Sequence, residues 1–353
     1  MKGAFQDVQV AEVELDLPYF KGKWLRMQPL HGQDWPEGGG NMPMIRPARK
    51  RRYVFVTPYY KETRDCLDRC IASVKRQTIG ADHILVADGF PQDWIDQANV
   101  RHLRLDRAHE DYGNTPRAMG GLMAVAEGYG GIGFLDADCW LEPDHLEHCL
   151  EQTEQVGLER CGFVAASRTL RRLDESVIDV PDEPSATHVD TSCLLLLPPS
   201  FGALPVWILM PREVSVVGDR VFYLVLRSQN LISAFSTRQT VNYTYTFAPM
   251  YRALGEAPPE PTKENPDHAA IAGWIDTLPP DRLEAVNRHL GADLRALYRL
   301  KAESGASGVQ SKSRIKARPE TMETFWALAN SNGWSPGEAF EQAVAALRAK
   351  CKV

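Results

Sequence analysis

The 353-residue chain has no Cys-x-x-Cys pair, no excess of positive charge and no long uncharged run free of proline. Each absence removes a class of protein. Its seven cysteines (Cys66, Cys70, Cys139, Cys149, Cys161, Cys193 and Cys351) are odd in number and irregularly spaced. Neither a disulfide framework nor a zinc knuckle is therefore indicated, and a reducing, cytoplasmic compartment is expected. A net charge of −6 argues against a broadly basic nucleic-acid-binding face. The one local basic run, Arg46, Arg49, Lys50, Arg51 and Arg52, reads as solvated linker. Thr191 to Pro211 carries no charge, but Pro198, Pro199 and Pro205 break it, so a buried strand and an apolar loop are expected in place of a transmembrane segment. Peripheral membrane contact is the lesser reading. The opening MKGAFQDVQVAEVELDL places acidic residues where a secretory signal needs an apolar core, so no export signal is expected. Without export, the sequon Asn242-Tyr243-Thr244 reads as a chance match.

The chain is 44% hydrophobic and 24% charged, which is a globular and not a disordered composition. Residues 1–52, rich in Gly, Pro and isolated aromatics and including Gly38-Gly39-Gly40, read as an N-terminal arm. From Tyr53 the pattern changes. Tyr53-Val54-Phe55-Val56 is a short buried strand ended by Thr57-Pro58; Leu67, Cys70, Ile71 and Val74 mark an amphipathic helix capped by Thr63; Ile84 to Ala87 is a second strand, stopping at Asp88-Gly89. A helix follows with Thr115-Pro116 as cap and first-turn proline and Met119, Leu122, Met123 and Ala126 as its apolar stripe. Ile132 to Leu135 is a further strand, ending in Asp136-Ala137-Asp138. Pro143 opens a helix to about Gln155, Gly162 to Ala166 is a strand, Val189 to Leu197 a longer one, and Thr240 to Phe247 a late one. Helical stretches at 268–277 and 280–300, a Ser/Gly/Lys-rich loop at 304–313 and a last helical segment at 321–350 complete the chain.

The alternation predicts an α/β domain over 53–250, with a mostly parallel sheet flanked by helices, and a helical C-terminal extension over 251–353. Ligands bind such sheets at the carboxyl ends of the strands, where Thr57, Asp88 and Asp136 all fall. Gly128-Tyr129-Gly130-Gly131-Ile132-Gly133 satisfies a dinucleotide fingerprint in letters only. It ends a helix and precedes a strand, the reverse of what that motif needs, so its glycines read as a helix stop and turn. There is also no Gly-rich, Lys-bearing phosphate loop near the first strand, which disfavours a nucleotidyltransferase.

Two carboxylates separated by one residue, Asp136 and Asp138, are able to share a hard divalent cation such as Mg²⁺ or Mn²⁺; in isolation such a triplet is more often a solvated turn or cap. Together with Val54-Phe55-Val56-Thr57-Pro58-Tyr59-Tyr60 and Ile84-Leu85-Val86-Ala87-Asp88-Gly89, the block Phe134-Leu135-Asp136-Ala137-Asp138 resembles the successive blocks of family 2 glycosyltransferases. The resemblance covers roughly residues 53 to 250. It implies a glycosyltransferase A type nucleotide-binding sheet and transfer of a sugar, with inversion, from a nucleotide diphosphate-sugar, usually a UDP-sugar, to an acceptor that is not identified. On it, Thr57, Pro58, Tyr60 and Glu62 frame the nucleoside, Asp88 bonds its base or ribose, Asn114 and Arg117 approach sugar or phosphate, Asp136 and Asp138 hold the metal, and Asp219 is the catalytic base. Departures from the pattern are Ala87-Asp88-Gly89-Phe90, where the family has Asp-Asp-Gly-Ser, and Gly218 before Asp219, where it has glutamate. Simpler roles stand beside these: Arg117 as a surface ion-pair residue, Asp219 as a helix cap, His188 and Asp190 as ordinary residues leading into a strand, Trp207 as core, and Tyr243 and Tyr245 as packing on one face of the late strand. A non-catalytic nucleotide-sugar-binding scaffold and a nucleotidyltransferase are the alternative functions.

Overall fold

The computed structural model describes residues 12–17, 20–25, 51–154, 156–180 and 188–298. It divides into two units, residues 1–50 and 51–353. In the first, β1 (Glu12–Leu17) pairs antiparallel with β2 (Phe20–Leu25) from Glu12↔Leu25 to Leu17↔Phe20. Reading residues 1–52 as an arm overlooks this ladder, although the alternation in Val13-Glu14-Leu15-Asp16-Leu17 is a signal for it. The Gly38-Gly39-Gly40 segment, the loop at 304–313 and the helical segment at 321–350 lie outside the described residues.

The second unit is built on one nine-stranded sheet. Its first half is β3 (Tyr53–Tyr59), α1 (Arg64–Lys75), β4 (Asp82–Ala87), β5 (Arg101–Arg104), α2 (Asn114–Ala126) and β6 (Gly131–Phe134). Strand order is β5-β4-β3-β6, all parallel. Then come β7 (Trp140–Leu141), α3 (His145–Glu151), β8 (Cys161–Arg171), β9 (Val177–Ile178), β10 (Leu194–Leu196), α4 (Val206–Leu209), α5 (Gly218–Ser228), β11 (Ile232–Thr244), α6 (Ala248–Ala253), α7 (His268–Thr277) and α8 (Pro280–Leu290). The order continues β6-β10-β8-β11-β7, with β10 antiparallel to both neighbours and β11 parallel to β8. Among the described residues no helix is long and apolar enough to cross a membrane.

β3 runs through Thr57-Pro58 instead of ending there. Val56 O accepts from Leu135 N–H and Tyr59 O from Asp88 N–H. Alternation therefore turns position 58 toward β6, which has already ended at Phe134, and proline forfeits no ladder bond. The same alternation sends Val56 against α2, and Phe55 and Thr57 against α3 and α1 on the opposite face.

The expected stripe on α2 is on the wrong side. Met119 and Leu122 are exposed, and the buried face is Asn114, Pro116, Arg117, Ala118, Gly120, Gly121 and Ala124. Close approach is the reason: a Cβ on Gly120 would lie 2.5 Å from Val56 Cγ1, and one on Gly121 2.9 Å from Leu204 Cδ2. Small residues let the helix lie almost on the strands, so size and not hydrophobicity marks the inner face. Thr115 is also not the cap. α2 begins two residues earlier, at Asn114 after Gly113 (φ 79°), and the Asp111 carboxylate accepts from Thr115 N–H. At its other end Gly128 (φ 75°) turns the chain out of the helix, as read from the sequence.

Only Leu194–Leu196 of the expected strand 189–197 pairs in the sheet. Asp190 accepts from Ser192 N–H and folds residues 191–193 into a 3₁₀ turn first. α3 ends at Glu151, and Gln155 lies outside the described residues. β8 and β11 are both longer than expected, joined over their length with three register shifts, and β7, unanticipated, pairs antiparallel with β11. Ile271 and Ile275 of α7 and Leu283 and Leu290 of α8 join the main core. Trp207 is core, stacked on Phe222 at 4.4 Å. Asn242 is 1% exposed and bonded to Glu142 and Arg171, so it is closed to glycosylation.

Gly133 on β6 faces Phe55: a Cβ there would lie 2.3 Å from Cε1. Gly133→Ala is expected to destabilise the protein by about 1–3 kcal/mol, the usual cost of overpacking, measured as a fall in the urea unfolding midpoint at unchanged slope.

Candidate active site

The carboxyl ends of β3, β4 and β6 and the N-terminus of α2 enclose a cavity of about 540 Å³. It is lined by Pro58, Tyr59, Tyr60, Glu62, Asp88, Glu110, Tyr112, Gly113, Arg117, Asp136, Ala137, Asp138 and Lys263. Seven of the residues picked from sequence thus share one wall: Pro58, Tyr60, Glu62, Asp88, Arg117, Asp136 and Asp138.

Pro58 and Tyr60 reach the cavity from the end of β3. The Glu62 carboxylate accepts from Tyr60 N–H at 2.6 Å, which folds the loop back on itself. Asp88 leaves β4 with its N–H donated to Tyr59 O. Its Oδ1 accepts from His109 N–H at 3.0 Å and lies 2.7 Å from His109 Nδ1. The crossing of this loop explains Gly89, whose Cβ would lie 2.3 Å from Ala108 N at a φ of 80°. Phe90, the departure noted after it, meets Tyr60 edge-on with the rings 4.7 Å apart, and Lys61 lies over both.

Asp136-Ala137-Asp138 is a held turn. Asp136 N–H donates to Ser192 Oγ, Asp136 O accepts from Cys139 N–H, and Asp138 O accepts from Thr244 Oγ1 and Arg69 Nη2. Arg117, buried on α2, donates to Tyr112 O and to Asp136 Oδ1 at 2.5 Å. That excludes the surface reading of this arginine. Burial works against its charge, but the carboxylate of Asp136, with Asp190 and Asp219 farther off, outweighs burial and raises its pKa. Breaking such a buried pair from one side costs about 3–5 kcal/mol. Asp138 has no such cation: burial and the neighbouring Asp136 push it up to about 7, with Lys263 opposing.

Three of the picked residues, Thr57, Asn114 and Asp219, do not line the cavity. Alternation along β3 turns Thr57 to the α1 side, where it is fully buried and its hydroxyl lies 2.8 Å from His83 Nε2. Burial pushes His83 down to about 3, so the pair is a neutral core contact. Asn114 donates to Ser215 O, and its amide fills the space in front of Gly218: a Cβ there would lie 2.7 Å from Asn114 Oδ1. The glutamate expected at 218 has no room while Asn114 occupies this place.

Asp219 lies outside the cavity lining, in the first turn of α5, and the cap position belongs to Val217. Its Oδ1 accepts from Arg220 N–H and its Oδ2 lies 2.7 Å from His188 Nε2. Burial works to raise its pKa; the hydrogen bond and charge of His188, with the Arg220 N–H, outweigh it and hold the carboxyl below its ordinary value. Asp190 pairs with Arg168, which also lies 4.2 Å over the Tyr243 ring. Tyr243 and Tyr245 pack edge-on at 6.2 Å. Lys263, Glu110 and Tyr112 are cavity residues that sequence reading missed. For Lys263 no local motif exists; it arrives through a bridge between Phe247 and Lys263.

Among the described residues no group of three His, Cys, Asp or Glu side chains is arranged to hold a metal ion. Asp138 and the free oxygen of Asp136 nevertheless fit the way Mg²⁺ is commonly held, by one or two carboxylates together with substrate phosphates.

Residues 54–169 match the model of the family described as Glycosyl transferase family 2. No curated protein matches the chain. Among solved structures, it is similar to S. aureus TarS 1-349 in complex with UDP (12% identity, TM-score 0.42, 72% of this chain and 77% of that one). Two others are S. aureus TarS (12%, 0.42, 72% and 46%) and a further structure of TarS 1-349 (11%, 0.42, 74% and 77%). The segment 54–169, which supplies every cavity residue but Lys263, is therefore the part of the chain that matches the family 2 glycosyl transferase model.

Proposed function

We propose that the chain transfers a sugar from a nucleoside diphosphate-sugar, with UDP-sugars as the leading donor class, to an acceptor hydroxyl with inversion at the anomeric carbon. The observation that carries this reading is the convergence of Asp88, Asp136, Asp138 and Arg117 on one cavity at the ends of adjacent parallel strands. Pro58, Tyr60 and Glu62 frame the nucleoside, and the Asp88 oxygen not used by His109 accepts from the base or ribose. Asp138 and the free Asp136 oxygen hold Mg²⁺ or Mn²⁺, which when bound withdraws charge from the diphosphate. Arg117 fixes Asp136 so that one oxygen stays available.

Asp219 is the general base. Its lowered pKa keeps it ionised at neutral pH, and its charge is felt at Arg117 on the cavity wall. The acceptor oxygen forms its bond to the anomeric carbon while its proton passes to Asp219. The bond from that carbon to the diphosphate oxygen breaks, and the nucleoside diphosphate leaves with the electron pair. His188 positions Asp219 through the 2.7 Å contact.

A thermal-shift panel of nucleoside diphosphates and their sugars, with and without Mn²⁺, tests the donor site: one nucleotide is expected to stabilise the protein in a metal-dependent way. No response from a folded protein would favour a non-catalytic scaffold. Asp138→Ala is expected to abolish the metal-dependent part of donor binding in the same assay. Asp219→Asn is expected to leave donor binding intact and lower kcat about 10²–10⁴-fold, the range of general-base catalysis; full turnover in this variant would refute the base assignment. Because His188 lowers the Asp219 pKa, activity is present above that pKa and lost as pH falls through it. His188→Ala leaves burial unopposed by that partner, so the acid limb of the kcat profile is expected to move to higher pH.

A further inference from the structure

We infer that Lys263, outside the matched domain, contributes the mobile cation that binds the donor diphosphate; this rests on the donor-site reading above. The cavity is lined by five carboxylates, Glu62, Asp88, Glu110, Asp136 and Asp138, and by only two basic side chains, Arg117 and Lys263. A diphosphate entering such a space meets like charge on most sides and needs cations to compensate. Arg117 is held in place by Asp136 and Tyr112 O with its charge already balanced by the Asp136 carboxylate, although its Nε–H has no partner among the described residues and is free to donate. Lys263 forms no ion pair with any carboxylate among the described residues; its ammonium lies 4.7 Å above the Phe247 ring.

The backbone at Lys263 is fixed while the side chain is not. Its N–H donates to Thr246 O at 2.9 Å and its carbonyl accepts from Ala248 N–H at 2.8 Å, which ties it to the end of β11. A cation parked on an aromatic face at an exposed site is held weakly, so an arriving phosphate readily draws it away. The four-carbon stem lets the charge follow the diphosphate as it separates from the sugar, which a guanidinium locked in a buried pair does not do. Lys263 thereby acts on both binding and departure of the leaving group, in addition to any metal at Asp138.

The test is calorimetric titration of wild type, Lys263→Met and Lys263→Arg with UDP, GDP, ADP and CDP and with the matching monophosphates, each with Mn²⁺ and with EDTA. For the diphosphate that wild type binds, Lys263→Met is expected to weaken affinity at least tenfold in both conditions, with a smaller loss for the monophosphate and with recovery in Lys263→Arg. An unchanged melting temperature is expected because the side chain is exposed. Equal affinity of wild type and Lys263→Met, within twofold, would overturn the role of Lys263 and leave the donor site standing. Failure of wild type to bind any of the nucleotides would overturn the donor site itself, and the role of Lys263 with it.

Discussion

The close seating of α2 on the sheet sets the rest of the site. Gly120 and Gly121 bring the helix against Val56 and Leu204 at distances a side chain would forbid, and this lays its N-terminus across the ends of β3 and β6. Arg117, one turn into that helix, then reaches Asp136 from a buried position. If α2 stood off by the width of a methyl group, the ion pair would open and Asp136 would lose its fixed orientation. Packing and electrostatics are thus one constraint here: the glycines carry no charge, yet they decide where the charges meet.

The consequence is an unequal pair of carboxylates. Asp136 is neutralised by a buried guanidinium, whereas Asp138 is left raised to about 7 by burial and by its neighbour. A site in which one carboxylate has a cationic partner and the other, bonded only by the Cys139 thiol, has none among the described residues is suited to receive a cation together with a substrate bearing phosphate oxygens. Asp219 shows the opposite environment. His188 and the Arg220 N–H hold its carboxyl below the ordinary range, so the two aspartates are separated in protonation by their surroundings and not by their chemistry.

The glycine at 218 illustrates how a departure from a family pattern is accommodated. Asn114 occupies the space in front of it and donates to Ser215 O. Two positions that appear unrelated along the chain, 114 and 218, are therefore a single packing decision, in which an amide near the start of α2 takes the volume a side chain at 218 would need.

Strand and helix positions in the first half of the domain were legible in the sequence because each is governed by local pattern: short apolar runs ended by polar residues, and the 3.6-residue stripe of α1. The same locality made Asp88, Asp136 and Asp138 legible, since a polar residue closing a buried strand in an alternating α/β chain has to lie at the carboxyl edge. The inner face of α2 was not legible, because glycine and alanine carry no hydrophobic signal and the helix is buried by closeness instead of by bulk. Nor were the pairings of Arg117 with Asp136, of Asn114 with Ser215 and of Asp219 with His188, which join residues 19, 101 and 31 positions apart, or the arrival of Lys263 from beyond β11. The sequence by itself determined which residues end the strands and so which carboxylates are available. Tertiary structure alone decided which are paired, which remain free, and that Thr57 faces the core, because pairing depends on distance through space and the chain order does not encode it.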